Sequence, residues 1–135
     1  MALIKWNKSH SVGITKMDEQ HQILFDRINE LYEAIKIGKG REFIGNTLDA
    51  VTQYAVTHFS EEEALMKKHR FPELAAHRAV HKEFLRELRG FKTKHKTGID
   101  TLSMDVLIFL HKWLKQHINQ TDKKYGKLLN KKGVF

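Results

Sequence analysis

Apolar residues return in steps of three and four along most of this chain, the period of a helix with one buried face. From about Asp18 to Ile37 the stripe reads His21, Leu24, Phe25, Ile28, Leu31, Tyr32 and Ile35, and Gly38 in "KIGKG" supplies a C-cap. A second stripe of Phe43, Thr47, Val51, Tyr54, His58, Glu62, Leu65 and Met66 predicts a helix over about 41–69. Pro72 cannot continue that helix and restrains Phe71 before it. Proline suits a first turn, so a third helix is expected over 73–96, carrying Leu74, His77, His81, Phe84, Leu88 and Phe91. Beyond the loop "KTGID", a fourth over 100–121 carries Leu102, Val106, Phe109, Leu110, Trp113, Leu114 and His117. Four amphipathic helices joined by short loops predict an all-α fold, an up-down-up-down antiparallel four-helix bundle. Residues 1–17 are too short for a domain; Trp6, Val12 and Ile14 make them an N-terminal arm packed on the bundle, within one domain spanning 1–135.

Polar residues interrupt these stripes where apolar ones belong. His21 lies on the first, His58 and Glu62 on the second, His77 and His81 on the third, and His117 on the fourth. A buried polar group without a partner costs a few kcal/mol, and a charge more. One core histidine is more often a hydrogen-bonded residue than a ligand. Such groups on every helix of one bundle call for mutual satisfaction, and metal ions in the bundle interior provide it. Residues at i and i+4 differ by about 40° around a helix, so His77 and His81 can chelate one ion, and His58 and Glu62 another. His117 and Asp122 are five apart, about 140° on an ideal helix, and need a bulge to share a centre. In "SEEEALM", Glu61 and Glu63 compete with Glu62 for the inward place.

Composition narrows the chemistry. The chain has 135 residues, 41% hydrophobic and 30% charged, with nine histidines and no cysteine. Disulfides, Fe–S clusters and cysteine zinc sites are therefore excluded. No run approaches ~20 apolar residues and the N-terminus has no signal-peptide core, so a cytoplasmic protein without a membrane span is expected. The net charge of +8 gathers in "KTKHKTG" (Lys92–Gly98) and in the tail from Asp122 to Phe135, both read as loop or terminus. Without interleaved aromatics these lysines read as solvated, and no nucleic-acid partner is expected. "HRAVH" looks like the zinc-protease H-E-x-x-H, but Arg78 stands where the general base is needed.

The four segments together resemble the hemerythrin family, specifically its single-domain bacterial members: a lone His21, "HFSEE" from His58 to Glu62, "HRAVH" from His77 to His81, and "HINQTD" from His117 to Asp122. Flanking "SVGITKMDEQH" and "FLHKWLKQHI" agree, and the resemblance covers essentially the whole chain. It implies a non-haem, oxo- or hydroxo-bridged pair of iron ions. His77, His81 and His117 would hold one iron and His21 and His58 the other, with Glu62 and Asp122 bridging. Counting ligands on two octahedral irons leaves one open position, on the iron of His21 and His58.

The resemblance implies reversible dioxygen binding for storage, transport or delivery, rather than an enzyme. A histidine-rich set favours ferrous iron more than the carboxylate-rich sets of ferritin-like proteins. The alternatives are a di-iron oxidase or peroxidase, or an iron- or oxygen-sensing module, on the same scaffold. Keeping water out calls for an apolar wall, for which Phe25, Ile28, Phe59, Trp113, Leu114 and Ile118 are candidates, with Leu114 foremost. His10, His69, His95 and His111 match no ligand and are expected at the surface; Met66 and Tyr54 are expected in the core. A monomer is expected, with an oxygen-consuming enzyme as the kind of recipient.

Overall fold

A computed structural model describes residues 3–98 and 101–135, the side chains of 119–121 apart. A short 3-10 turn at Lys8–His10 precedes α1 (Thr15–Lys36), α2 (Gly40–Lys68), α3 (Leu74–Lys96) and α4 (Leu102–Trp113). From there a π-helical stretch, Leu114–Thr121, runs into α5, Asp122–Lys131. The architecture is all-α, a four-helix bundle, with no strand among the described residues. No helix among them is long and apolar enough to cross a membrane.

The helices stop where their sequences tell them to. Gly38 ends α1 at φ 75°, and the N–H of Lys39 returns to the Ala34 carbonyl at 2.7 Å. Arg70 does the same for α2 at φ 56°, letting the Phe71 N–H reach the Met66 carbonyl at 2.9 Å. Only the start of the second stripe sits one residue from its expected line, since Val51, His58, Glu62 and Met66 are buried as expected. Ile44, Leu48, Val51 and Ala55 are buried, whereas Phe43 is 47% exposed.

The fourth helical run departs most from expectation. Its expected start at Asp100 lies outside the described residues. Its far end, expected at 121 and followed by loop, continues as α5 to Lys131. The lysines of this tail line the outer face, while Tyr125 and Leu129, one turn apart, are fully buried.

Two apolar clusters fill the interior. The larger holds Leu24, Phe25, Ile28, Ala55, Phe59, Phe84, Leu110, Leu114 and Ile118 among others. The smaller joins Val12, Ile14 and Met17 to Met66, Phe71, Tyr125 and Leu129. Along α1, His21 falls between Met17 and Leu24; along α2, His58 and Glu62 fall between Ala55 and Met66; in α3, the two histidines fall between Phe71 and Phe84. The polar residues of the stripes thus form a layer between two dry blocks.

The N-terminal arm runs along both blocks, with Ile4 and Trp6 against the larger and Val12 and Ile14 in the smaller. Val12 and Ile14 are buried, Trp6 packs edge-on against Phe25 at 5.3 Å, and the Asn29 side chain pairs with both backbone groups of Ile4. Asp18 accepts the Val12 N–H at 2.8 Å. Gly126 lets α5 approach the arm: a Cβ there would lie 1.8 Å from the Val12 carbonyl oxygen. Gly126→Ala is therefore expected to cost about 1–3 kcal/mol through overpacking, read as a lower urea midpoint. An unchanged midpoint would show the arm to be loosely held.

Candidate metal centre

Seven polar side chains meet in the layer between the clusters. His21, His58, Glu62, His77, His81, His117 and Asp122 are each at most 4% exposed. They form two overlapping groups able to hold a cation, one of Glu62, His77, His81 and His117, the other of His21, His58, Glu62 and Asp122. Every residue expected as a ligand is in one group or the other. Of the three consecutive glutamates it is Glu62 that faces inward.

The two carboxylates lie across the boundary between the groups. Glu62 Oε1 is 3.2 Å from His77 Nε2 and 3.0 Å from His81 Nε2, while its Oε2 is 3.0 Å from His58 Nε2. Asp122 Oδ1 is 2.8 Å from His77 Nε2 and 2.9 Å from His117 Nε2, while its Oδ2 is 3.3 Å from His21 Nε2. Each carboxylate therefore turns one oxygen to two of the histidines on the His77, His81 and His117 side and the other to the side of His21 and His58.

The π-helical stretch makes this possible. On an α-helix His117 and Asp122 would diverge. Here the Asp122 N–H bonds the His117 carbonyl, the i to i+5 bond of a π turn, which brings residues five apart to one side.

The residues fit metal ions better than they fit one another. His81 Nε2, His117 Nε2 and Asp122 Oδ2 are buried without a hydrogen-bond partner, although a carboxylate oxygen or imidazole nitrogen lies about 3 Å from each. The Nε2 atoms of His21 and His58 approach to 3.1 Å. Lone pairs converging on shared points, from imidazoles and carboxylates, make a donor set for first-row divalent ions. In the metal-free chain, protons must stand in. Burial pulls the His21 and His77 imidazoles down, but hydrogen bonds to Asp122 and Glu62 outweigh it and carry both up to about 9. Burial holds His117 below its ordinary value, against the attraction of Asp122. Burial pushes both carboxyls up, yet the surrounding histidines hold Glu62 and Asp122 well below the carboxylate range. Two imidazolium charges then offset two carboxylates.

Further groups orient these ligands, and the pattern of stripes could not reveal them. The His58 Nδ1–H donates to Gln20 Oε1 at 2.6 Å, and the Gln20 amide donates to Glu61. The His81 Nδ1–H donates to Glu63 Oε2 at 2.7 Å. Both rings are thereby left with Nε2 facing inward. Successive residues on a helix turn by about 100°, so Glu61, Glu62 and Glu63 face α1, the interior and α3 in turn. The Tyr125 hydroxyl, from α5, donates to Glu62 Oε2 at 2.7 Å. Burial and the nearby Glu62 charge raise that phenol well above its usual value, so it stays a donor.

The expected wall residues divide. Phe59 stacks on His81 with centroids 3.8 Å apart, and Trp113 on His117 at 4.1 Å. Both lie against the three-histidine half, and Phe59 also reaches the other, tilted with its centroid 5.8 Å from that of His58. Phe25 packs instead against Trp6 and His10. Leu114, Ile28 and Ile118 are buried in the larger cluster. His10, His69 and His111, expected at the surface, are half-buried, and only His95 of the four is exposed. Met66 is buried in the smaller cluster, and Tyr54 stacks on His58 with centroids 5.2 Å apart.

Residues 12–129 match the hemerythrin HHE cation binding domain. The chain belongs to the hemerythrin family. It is similar to the bacteriohemerythrin of Methylococcus capsulatus, at 34% identity over 131 residues, 96% of this chain and 99% of that one. The bacteriohemerythrin of Stenotrophomonas maltophilia is 32% identical over 93% of this chain and 81% of its own. The myohemerythrin of Theromyzon tessulatum is 30% identical over 92% of each. Wild-type hemerythrin in the crystal superposes with a TM-score of 0.85 at 33% identity, over 95% of this chain and 98% of that one. Membership of this family makes the cofactor a pair of iron ions and the ligand dioxygen.

Proposed function

We propose that this hemerythrin holds one iron with His77, His81 and His117 and the other with His21 and His58, and is a reversible dioxygen carrier rather than an enzyme. Glu62 and Asp122 bridge the two. The observation that supports this reading is the split of each carboxylate, one oxygen toward each set of histidines. A ferrous pair supplies the electrons with which dioxygen is held. The His21 and His58 side, with one imidazole fewer, would leave room there for a ligand.

The chain's own part is to orient and to exclude. Gln20, Glu63 and Tyr125 fix the ligands, so that little rearrangement accompanies binding. The two apolar clusters keep water away from the polar layer, the condition for release without side reaction. The reading extends to a cytoplasmic monomer that binds neither nucleic acid nor membrane and supplies oxygen to a consuming enzyme.

Repeated oxygenation and evacuation of the iron-loaded protein tests it. An absorption band that appears with oxygen and vanishes under vacuum over several cycles supports the carrier. Irreversible oxidation with substrate turnover would favour an oxidase or peroxidase. Leu114, fully buried in the larger cluster, is expected to wall the open position. Leu114→Thr should raise the autoxidation rate about tenfold, some 1.4 kcal/mol in barrier, with iron content intact. An unchanged rate removes Leu114 from the wall.

A further inference from the structure

We propose that Gln20 and Glu63 are positioning residues that make the two metal positions unequal, so that the three-histidine position fills first. This deepens the di-iron reading above and rests on it. The two residues do the same job with different chemistry. Gln20 accepts the His58 Nδ1–H through an amide oxygen at 2.6 Å, and Glu63 accepts the His81 Nδ1–H through a carboxylate oxygen at 2.7 Å. An anionic acceptor draws the Nδ1 proton more strongly and leaves the opposite nitrogen more electron-rich. His81 is therefore the stronger donor toward a cation, and His58 the weaker.

The neighbours preserve the difference. Gln20 is held by Glu61, which pairs with the exposed Lys16 at 3.4 Å. That contact fixes the amide with its oxygen toward His58 and keeps the Glu61 charge one group away from the ring. Glu63 is held on its outer side by Arg78, whose Nε donates to Oε1 at 3.1 Å, leaving Oε2 for His81. Both chains of contacts run from a ligand histidine to a surface cation; only the first interposes a neutral amide. Arg78, which spoils the protease motif, thus has a place of its own: it aims Glu63. An exposed pair of this kind adds little energy itself, so its effect is on orientation.

Ligand number acts in the same direction. Both positions share Glu62 and Asp122, but one has three imidazoles and the carboxylate-backed His81, and the other has two and the amide-backed His58. The second position, where dioxygen binds, is then the last to fill and the first to empty.

Titrating the metal-free protein with Co²⁺, followed by calorimetry and by the visible cobalt spectrum, tests this without any oxygen chemistry. The wild type should take two ions in two steps, the first tighter. Glu63→Gln should weaken the first step by on the order of tenfold and leave the second where it was. Gln20→Glu should tighten the second step and draw the two together. Nitrogen NMR of the metal-free wild type should show His58 and His81 protonated at Nδ1. Two ions bound with neither step moved in Glu63→Gln, or both steps weakened equally, overturns this proposal alone. Fewer than two ions in the wild type overturns the di-iron reading and this proposal with it.

Discussion

Glu62→Ala and Asp122→Ala are each expected to strip the chain of both irons, not one. A terminal ligand serves a single ion, but each of these carboxylates turns one oxygen to His77 with His81 or His117 and the other to His58 or His21. Its loss removes a donor from both positions at once. It also leaves the imidazoles crowded together with half their compensating charge, and an unbalanced buried charge is costly. The loss in affinity should exceed the roughly 10–100-fold that outer-shell changes carry. Iron per chain, measured after loading and desalting, decides the matter. His58→Ala is the comparison, expected to empty chiefly one position. A Glu62 or Asp122 variant that keeps two irons and reversible oxygen binding would sink the assignment of that bridge.

Removing the metal has the second large effect, and its sign depends on pH. An ion that binds only the folded chain at 100 to 1,000 times its dissociation constant adds about 2.7–4.1 kcal/mol. Two such ions correspond to a fall in Tm on the order of 10 °C or more on stripping. In the metal-free chain, His21 and His77 titrate at about 9, against an ordinary value of 6.5. A group whose folded value is raised contributes its full stability below the unfolded value and loses it as pH rises through the folded one. The stripped protein should therefore be more stable at pH 6 than at pH 9. Glu62 and Asp122, held low, contribute constantly over that window, since both are ionised throughout it. In the loaded protein the metal takes the place of those protons, and acid competes for the ligands, so the trend disappears or reverses. Thermal melts at the two pH values, with and without metal, would show the crossing. Equal slopes in both forms would mean that the protons and the metal do not share a site.

What the chain disclosed before folding follows from the periods involved. A stripe at three and four residues is a long-range average, so it places His21, His58, His77 and His81 on core faces even where a boundary is uncertain. It also failed where one residue's offset mattered, setting Phe43 on a face that belongs to Ile44. Glu62 could not be separated from Glu61 and Glu63 by type, because all three are glutamates and only the rotation of the helix distinguishes them. Gln20, Glu63 and Tyr125 were missed for a different reason. Each acts through a partner on another helix, 38, 18 and 63 positions away, and no local pattern encodes such a contact. The best available signal was the acidic run itself, since three carboxylates in a row on a buried helix cannot all face water. The tail misled because its lysines dominate the composition, while only Tyr125 and Leu129 decide its packing.

The π-helical stretch from Leu114 to Thr121 also works as a phase shift. It admits more residues to a turn than an α-helix does, and everything downstream is rotated relative to an unbroken rod. Three contacts depend on that one rotation: Asp122 against both sets of histidines, Tyr125 on Glu62, and Gly126 beneath the Val12 carbonyl. Regularising the stretch to α geometry at unchanged length would swing α5 by on the order of 100°, undoing the carboxylate bridge, its phenol support and the seat of the arm together. For anyone redesigning this bundle, the irregular turn is the part to leave alone.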